Sequence, residues 1–331
     1  QYVDDANKTV TVKLEELGAL LNLTWITHSY PHDWRTKKPI IFRATDQWFC
    51  SIDKIREKLL SEIDSVNWIN EWGHIRIYNM IKDRGDWCIS RQRTWGVPIP
   101  IFYCEDGTPV IDQKVFDHVS ALFREFGSNV WFERDEKDLL PEGYTNEHSP
   151  NGIFKKEKDI MDVWFDSGAM PYAQLHYPFE NKELVDSCSY YPADFIAEGV
   201  DQTRGWFFTL HAIATMVFDS VAYKNVISNG LVLDKNGNKM SKRLGNAVDP
   251  FGAIEKFGSD PLRWYMITNS SPWDNLKFDT DGVDEVRRKF FGTLYNTYSF
   301  FALYANVDGF TYAEEDVPMN ERPEIDRWIL S

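Results

Sequence analysis

Residues 193–233 read ADFIAEGVDQTRGWFFTLHAIATMVFDSVAYKNVISNGLVL, and this stretch decides the fold. Residues 193–199 and 225–233 are short apolar runs of the kind that form buried strands. Residues 203–218 form a longer apolar segment between them, and its length favours a helix. A strand, a helix and a strand in this order predict an α/β protein whose two strands lie parallel, joined by a right-handed crossover.

Polar residues follow both predicted strands. Glu198, Asp201 and Gln202 lie at or just past the end of the first strand, and residues 234–246 follow the second. Ligands of open parallel sheets bind in the crevice beyond the carboxyl ends of the strands. The sequence therefore predicts that these two segments line one crevice.

The second of these segments lies within LVLDKNGNKMSKRLGN, residues 231–246. The turn-forming residues 235–238 predict a tight connection, from which Lys239 and Lys242 project on either side of Ser241. Two ammonium groups and a hydroxyl above a crevice suit a triphosphate, because lysine can follow negative charge onto a departing pyrophosphate. A solvated basic turn is the other interpretation, and the charges by themselves favour it.

Hydrophobic periodicity predicts further elements on both sides of this unit. The predicted helices lie at 9–21, across most of 51–81, near 113–126 and after Asp284, and the predicted strands lie near 22–30, 37–49 and 97–103. Asp249-Pro250 and Asp260-Pro261 each predict a helix that starts with an N-cap aspartate and a proline at the first helical position. The charged and turn-rich residues 136–152 are interpreted as an excursion from the core.

The composition describes a folded, acidic chain. Its 331 residues are 43% hydrophobic, which is enough to bury a sizeable core. A net charge of −15 argues against non-specific binding of nucleic acid over the whole surface. Local basic groups can still bind nucleic acid. Neither a bilayer-spanning apolar run nor a secretory signal occurs, so no membrane partner is predicted.

The four cysteines are far apart in the sequence. They are Cys50, Cys88, Cys104 and Cys188, and none belongs to a CxxC pair. This spacing predicts no metal site and no disulfide framework, and it favours reduced thiols in a cytoplasmic protein. The chain also begins without methionine and ends inside a predicted helix, so we expect a piece of a longer protein.

Residues 239–243, KMSKR, resemble the KMSKS loop of the class I aminoacyl-tRNA synthetases, with Arg243 in place of the usual serine. Further blocks resemble the isoleucyl, valyl and leucyl members of that family: SYPHDWRTKKPIIFRATDQWF (29–49), RGDWCISRQRTWGVPIPIFY (84–103), DIMDVWFDSG (159–168) and AEGVDQTRGWFF (197–208). DVWFDSG together with EGVDQTRGW points to the isoleucyl members. The family's His-Ile-Gly-His motif does not occur in this chain, so we expect the chain alone to be inactive.

The resemblance implies roles for individual residues. The positions that would bind the aminoacyl-adenylate are Glu198, Gly199, Asp201, Gln202 and Trp206. The positions that would bind ATP are Lys239, Ser241 and Lys242, of which the two lysines would be catalytic. Helix capping or ion pairing is the alternative role for Glu198, and ordinary core packing is the alternative role for Trp206. The segment Arg91-Gln92-Arg93 can contact phosphates of a tRNA acceptor strand or pair with carboxylates.

The resemblance also implies a fold class. We expect an α/β chain that holds the second half of a Rossmann-type catalytic domain with insertions, followed by the start of an α-helical anticodon-binding domain. The implied boundaries are the exit of an inserted editing domain at 1–45, the catalytic part at 46–245 with a connective insertion near 104–160, a helical linker domain at 246–285 and the anticodon-binding part at 286–331.

The reaction implied for the intact parent is activation of isoleucine with ATP and Mg²⁺, followed by transfer to tRNA(Ile), in a monomeric cytoplasmic enzyme. The alternatives are a valyl or leucyl synthetase, and a catalytically inert tRNA-binding module. The DVWFDSG block argues against the first alternative, and the net acidity argues against a strong RNA-binding module.

Overall fold

The computed structural model describes residues 3–33, 36–313 and 315–331. The chain divides into two compact units, Gln1–Asp46 and Gln47–Ser331. The first unit contains one helix, and the second contains all of the described strands. Among the described residues, no helix has both the length and the apolar character needed to cross a bilayer.

Helices occur along the whole described chain. In chain order they are α1 (Val3–Glu16), α2 (Arg56–Asp64), α3 (Glu71–Lys82), α4 (Gln113–Phe126), α5 (Val130–Glu133), α6 (Glu136–Leu139), α7 (Val163–Ala173), α8 (Lys182–Asp186), α9 (Trp206–Phe218), α10 (Pro250–Phe257), α11 (Ser259–Thr268), α12 (Thr280–Val286), α13 (Gly292–Asp308) and α14 (Glu324–Leu330). Short 3-10 turns lie at Val200–Arg204, Lys242–Leu244 and Met319–Glu321, and a π turn lies at Arg287–Phe291.

The strands are short, and parallel pairing is confined to two sheets. In chain order they are β1 (Phe49–Cys50), β2 (Asn67–Trp68), β3 (Trp87–Cys88), β4 (Ser90–Arg91), β5 (Phe102–Tyr103), β6 (Lys155–Lys156), β7 (Ile160–Met161), β8 (Ile196–Gly199), β9 (Asn225–Asn229), β10 (Val232–Leu233) and β11 (Leu276–Lys277). The central sheet has the order β2–β9–β8, and both of its pairs are parallel. β10 pairs with β11 in parallel, whereas β1–β3, β4–β7 and β5–β6 are antiparallel pairs.

The unit β8–α9–β9 confirms the predicted strand, helix and parallel strand. The last paired residues of the two strands are Gly199 and Asn229. α9 starts at Trp206, later than predicted, because a 3-10 turn precedes it. Residues 207–215 of this helix are all buried, so α9 is the central element of the main hydrophobic core.

Two predictions about these strands are wrong. The predicted strand 225–233 ends at Asn229, and the backbone amide of Gly230 donates instead to the carbonyl oxygen of Pro272 at 2.9 Å. Glycine allows the close approach of Asp274 here, because a Cβ atom would be 2.0 Å from the carbonyl oxygen of Asp274. The chain then forms the separate strand β10, which pairs with β11. Of the four described residues of β8, only Ile196 is buried, since β8 lies at the edge of the sheet.

The N-terminal part also departs from its predicted secondary structure. α1 begins and ends earlier than the helix predicted at 9–21. The strands predicted near 22–30 and 37–49 are absent from the described residues, apart from one isolated bridge and the start of β1. Leu21 and Trp25 are almost fully exposed. An apolar run becomes a strand only where neighbouring backbone pairs with it and a core covers one face.

A second hydrophobic cluster is formed by β5 and the segment that follows it in the sequence, before β6. Its buried side chains are Phe102, Cys104, Val110, Val115, Val119, Val130, Trp131, Leu139 and Leu140. α4 confirms the amphipathic helix predicted near 113–126, and Asp112 caps it by accepting a hydrogen bond from the backbone amide of Lys114. The sequence pattern of residues 136–152 indicates an excursion from the core. The first part of this stretch belongs to the second cluster, because Leu139 of α6 is buried there.

The helical prediction across 51–81 holds for α2 and α3, although β2 separates them. The strand predicted at 97–103 is limited to β5 and an isolated bridge at Pro98. Proline lacks a backbone N–H, so the two prolines of this stretch cannot continue a ladder of hydrogen bonds.

A third cluster forms around α10, α11 and α12. Asp249 caps α10 by accepting hydrogen bonds from two backbone amides of its first turn, which confirms that N-cap prediction. The second N-cap prediction is wrong, because α11 starts at Ser259 and Asp260 lies inside its first turn. The helix predicted after Asp284 begins earlier, as α12, and passes through the π turn into α13.

Candidate active site

The carboxyl end of β8 carries an exposed carboxylate. Within the part of the chain that the structure describes, Glu198 forms no hydrogen bond and no ion pair through its side chain, so neither alternative role for it is observed. Gly199 follows directly, and a Cβ atom there would lie 2.7 Å from Oδ1 of Asp201. The glycine therefore lets the backbone and the Asp201 carboxylate lie close together beside Glu198.

Gln202 links this turn to the start of α9. Its Oε1 accepts a hydrogen bond from the backbone N–H of Trp206 at 3.0 Å, and its Nε2 donates to Oδ2 of Asp201 at 3.4 Å. Gly205 permits the contact, because a Cβ atom there would lie 2.8 Å from Oε1 of Gln202. The amide is thus held with its oxygen toward the helix and its NH₂ group beside the carboxylate.

The ring of Trp206 is anchored on α7, the helix formed by the DVWFDSG block. Its Nε1 donates to the carbonyl oxygen of Ser167 at 2.9 Å, and the ring packs partly buried against the main core. Gly168 lets α7 and α9 approach closely, since a Cβ atom there would lie 2.8 Å from the carbonyl group of Thr209. The Trp206 ring is only partly buried, so its position is compatible with core packing and also with a pocket wall.

Residues 234–246, the lysine loop, are closed at their base by the side chains of Asp234 and Asn246. Nδ2 of Asn246 donates to Oδ2 of Asp234 at 2.9 Å, and Oδ1 of Asn246 accepts a hydrogen bond from the Ser241 amide at 2.8 Å. Oδ1 of Asp234 accepts hydrogen bonds from two backbone amides of the turn. The hydrogen bond from Asn246, followed by those from the turn, holds the pKa of Asp234 below its usual value.

Neither residue of this closure was predicted from the sequence. A signal existed for Asp234, because an aspartate at the first position of a turn commonly accepts hydrogen bonds from the backbone amides of that turn. For Asn246 no local pattern was available, since its partners are set by the path of the loop.

Lys239 and Lys242 of the loop are exposed. Across the described residues, the ammonium groups of Lys239 and Lys242 form no hydrogen bond and no ion pair. Between them, Met240 lines an apolar pocket of about 220 Å³ formed with α10 and α11, and Ser241 caps the following 3-10 turn by accepting a hydrogen bond from the Arg243 amide at 3.2 Å. The loop is therefore packed through its methionine and presents two free cations.

β8 and β9 are parallel and end together at Gly199 and Asn229. The first predicted segment continues directly from β8, whereas residues 234–246 follow β10, which pairs with β11 outside the central sheet. No hydrogen bond or ion pair joins residues 198–206 to residues 234–246, all of which the structure describes. The two segments therefore follow strands of different sheets, their side chains make no polar contact, and a shared crevice stays a prediction.

Comparison with known proteins identifies the family to which this arrangement belongs. Residues 4–279 match the tRNA synthetases class I (I, L, M and V). The chain belongs to this class I synthetase family. The prediction made from the KMSKR loop and its flanking blocks is confirmed.

Three curated relatives of this synthetase chain are isoleucine–tRNA ligases. The protein of Bacteroides fragilis (strain ATCC 25285) is 60% identical over 92% of this chain and 29% of its own length. The proteins of Porphyromonas gingivalis (strain W83) and Geobacillus kaustophilus (strain HTA426) are each 54% identical, over 97% and 100% of this chain and 30% and 34% of their own lengths. The chain thus spans about a third of the length of these relatives, and its resemblance to the isoleucyl members is confirmed.

Two solved synthetase structures share the fold. The methionyl-tRNA synthetase of Mycobacterium tuberculosis in complex with methionyl-adenylate has a TM-score of 0.56 at 19% identity, over 87% of this chain and 47% of that one. The ternary LeuRS–tRNA–LeuAMS complex of Agrobacterium radiobacter K84 has a TM-score of 0.53 at 21% identity, over 77% of this chain and 34% of that one. The predicted α/β fold with part of a Rossmann-type synthetase domain is confirmed.

The other synthetase blocks also have defined places, except for residues 34 and 35 of the block at 29–49, which lie outside the described residues. Nη2 of Arg91 forms an ion pair with Oδ1 of Asp162 at 3.2 Å. Asp162 is buried and also accepts a hydrogen bond from Nε1 of Trp87 at 3.0 Å. Of the two roles left open for Arg91, the structure therefore shows carboxylate pairing.

Proposed function

We propose that this chain supplies the lysine loop and the aminoacyl-adenylate pocket of an isoleucine–tRNA ligase. The intact enzyme would activate isoleucine with ATP and Mg²⁺ and then transfer the isoleucyl group to tRNA(Ile). The observation that carries the proposal is the parallel pair β8 and β9, whose strands end together. Glu198 at the end of β8 has a free carboxylate, and Lys239 and Lys242, which follow β9 after the short strand β10, have free ammonium groups. The names of relatives that are 54% and 60% identical support isoleucine as the amino acid.

The amino-acid side of the proposed pocket follows from the segment after β8. Glu198 and Asp201 would accept charge-assisted hydrogen bonds from the α-ammonium group of the substrate. The NH₂ group of Gln202 would donate to a ribose or carboxylate oxygen without adding charge. Gly199 would admit the adenylate close to the backbone, and Trp206 would form a wall for the aliphatic side chain.

The phosphate side follows from the lysine loop. Lys242 would contact the triphosphate directly, with Lys239 and Ser241 as further ATP-binding groups. The substrate carboxylate attacks the α-phosphorus in line, the bond to the bridging oxygen breaks, and pyrophosphate leaves with the electron pair. Alignment and stabilisation of the leaving charge suffice for this step, so the protein need not supply a nucleophile.

Mg²⁺ would enter as part of the substrate. It keeps phosphate oxygens and waters as most of its ligands in sites that bind nucleoside triphosphates. Among the described residues, no group of three or more His, Cys, Asp or Glu side chains could hold a metal ion. The lysines rather than a protein-bound metal are therefore the groups of this chain that we assign to the phosphates.

The implied domain boundaries, a monomeric state and a cytoplasmic location remain part of the proposal. The division into units between Asp46 and Gln47 supports a boundary near residue 45. Four free cysteines support a reducing compartment. The buried cluster between β5 and β6 supports a connective insertion near 104–160 with a core of its own.

The proposal is tested with a chimaera in which this chain replaces the corresponding segment of the Bacteroides fragilis ligase. We expect isoleucine-dependent exchange between ATP and pyrophosphate in a chimaera that unfolds at the same temperature as its parent. Exchange with valine or leucine alone would overturn the choice of amino acid. A folded chimaera that catalyses no exchange would favour the inert module.

A further inference from the structure

A cavity of about 570 Å³ opens between α3, the loop after it and the 3-10 turn Val200–Arg204. We name it the arginine pocket, and its lining residues are Trp72, Ile75, Arg76, Asn79, Met80, Asp83, Arg84 and Arg204. This set shares no member with the residues proposed to bind the adenylate or ATP. The pocket is therefore separate from the candidate active site, although Arg204 ends the turn that contains Asp201 and Gln202.

The pocket concentrates positive charge in a chain whose net charge is −15. Among the described residues, no carboxylate forms an ion pair with Arg76, Arg84 or Arg204, even though Asp83 lies on the rim. Arginines elsewhere in the chain do find such partners, as Arg91 does with Asp162. Within the part of the chain that the structure describes, no ion pair neutralises the three guanidinium groups around the cavity, although the Asp162 carboxylate acts on Arg84 at longer range. This indicates that a ligand can supply further counter-charge.

Arg84 is the most constrained of the three. Its guanidinium lies 4.2 Å from the centroid of the Phe208 ring, and its Nη1 lies 3.9 Å from the sulfur of Met80. Its Nε is buried without a hydrogen-bond partner. Burial, and then the like charge of Arg204, lower the pKa of Arg84. A buried donor without an acceptor is unfavourable, so an anion in the cavity would relieve it.

Arg76 is oriented by the opposite wall. Its Nε donates to Oγ1 of Thr203 at 3.2 Å, and Oγ1 of Thr203, which is buried, donates to the carbonyl oxygen of Val200 at 2.8 Å. This bond uses one edge of the guanidinium and leaves both terminal NH₂ groups for a ligand. A planar guanidinium presented in this way matches two oxygens of a phosphate group.

The remaining walls are suited to a nucleotide. Trp72 and Ile75 place an aromatic ring and an apolar side chain beside the arginines, and nucleobases stack on such side chains. A cavity of this size also exceeds what a single phosphate ion fills, and it falls within the range typical of small-ligand sites. A carboxylate ligand would need only one of the three guanidinium groups.

We propose that the arginine pocket binds a phosphate group of a ribonucleotide, and that single-stranded RNA supplies it. Arg76 and Arg204 contact the phosphate oxygens, Arg84 supplies a second layer of charge, and Trp72 stacks on the base. The choice of RNA rests on the proposed function, since a tRNA ligase handles RNA. The recognition of phosphate rests only on the pocket.

The experiment measures fluorescence anisotropy of a labelled single-stranded oligoribonucleotide on the whole chain as a function of salt concentration. With one phosphate contacted, the slope of log affinity against log salt concentration should be about −0.7 for a single strand. Arg76→Gln and Arg204→Gln should each weaken binding by about tenfold or more and make the slope shallower. Arg263→Gln is the control of equal charge change, because Arg263 is exposed and far from the pocket in sequence.

Arg204→Lys keeps the charge and should retain more affinity for the RNA than Arg204→Gln. Comparing the two variants separates the effect of the lost charge from an effect on folding. Thermal unfolding of every variant checks that it is folded. Unlabelled pyrophosphate should compete with the RNA in wild type. Direct binding of pyrophosphate, measured by calorimetry and weakened in both glutamine variants, together with no binding of RNA, would support the phosphate site and overturn RNA as its source.

Affinities and salt slopes equal to those of Arg263→Gln in both glutamine variants would overturn the proposal. None of these measurements depends on isoleucine or on exchange of pyrophosphate into ATP. Failure of the chimaera test therefore leaves this result intact, and failure of this test leaves the assignment of the lysine loop intact.

Discussion

Nδ2 of Asn246 donates a hydrogen bond to Oδ2 of Asp234 over 2.9 Å, and this pair joins the two ends of the lysine loop. The same asparagine also accepts a hydrogen bond from the Ser241 amide and donates to the carbonyl oxygen of Lys239. A single side chain thus holds the base of the loop and two points along it. The hydrogen bonds that position Lys239 and Lys242 therefore come from Asn246, because the ammonium groups of the two lysines form none within the described chain.

Asn246→Ala should open the loop. Because the mutation removes the hydrogen bonds to Asp234, Lys239 and the Ser241 amide, we expect trypsin to cleave after Lys239, Lys242 and Arg243 faster than in wild type. The measurement is limited proteolysis with identification of the cut sites by mass spectrometry. Asn236→Ala is the matched control, since only the backbone amide of Asn236 takes part in the closure. Equal cleavage rates in the two variants would contradict this role for Asn246.

Lys242→Ala should depress adenylate formation in the chimaera by about 10² to 10³-fold, because an electrostatic contact to charge that develops in the transition state is lost. Isoleucine binding should change far less, since the lysine loop forms no hydrogen bond or ion pair with the described residues 198–206, which would form the amino-acid pocket. The measurement compares the rate of ATP–pyrophosphate exchange with the isoleucine concentration that half-saturates it. Lys235→Ala removes an exposed ammonium group from the same loop and serves as control. Equal losses in rate and isoleucine binding would show that Lys242 is structural.

Gly168→Ala should destabilise the chain by about 1–3 kcal/mol, because the new methyl group would lie 2.8 Å from the carbonyl group of Thr209 and 2.9 Å from Cδ1 of Ile213. Separation of α7 from α9 would also move Ser167 away from the ring of Trp206, so the chimaera should bind isoleucine more weakly. Urea unfolding measures the first effect. Gly292→Ala is the control, since its Cβ atom would meet no atom nearer than 3.7 Å and alanine favours a helix. Stability equal to that of wild type would show that the two helices can separate freely.

His211 should make stability depend on pH. Burial lowers the pKa of its imidazole from the usual 6.5 to about 4, although Nε2 donates to the carbonyl oxygen of Leu59 at 2.9 Å. The unfolded chain binds a proton between these two values and the folded chain does not, so stability falls as pH drops from 6.5 through 4. The loss amounts to about 3 kcal/mol when complete.

The measurement is urea unfolding of wild type and His211→Gln at several pH values across this window. The difference in unfolding free energy between the two should shrink as pH falls, because only wild type loses stability by protonating His211. His148→Gln is the control, since His148 is exposed and pairs with Asp106 at the surface. A constant difference between wild type and His211→Gln across the window would contradict the prediction.

Part of the fold was predictable because it depends on local patterns. The length and apolarity of residues 203–218 exceed those of a strand, and the two flanking runs are too short for helices, so a parallel unit followed. Asp249 before a proline and the stripe of α4 are also local signals, and the structure confirms both. The N-cap prediction for Asp260 was wrong because an Asp-Pro pair also fits within the first turn of a helix.

The candidate site also has some features that the sequence predicted and others that it did not. The lysines of KMSKR and the carboxylates after β8 were visible as residue types at fixed spacing. The closure by Asn246 and the anchoring of Trp206 on Ser167 were not, because each joins residues whose distance is set by packing.

The family, the parallel unit β8–α9–β9 and the residue types that follow its strands could be read from the sequence, since all of these follow from spacing along the chain. Where strand pairing stops, which faces are buried and which distant charges meet could be seen only in the folded chain. Strand β9 stops at Asn229 because the next amide, that of Gly230, bonds to Pro272, and Arg76, Arg84 and Arg204 share a cavity because α3 packs against the turn after β8. Periodicity encodes which face of a segment is buried, whereas the neighbour against which that face packs depends on how the whole chain collapses.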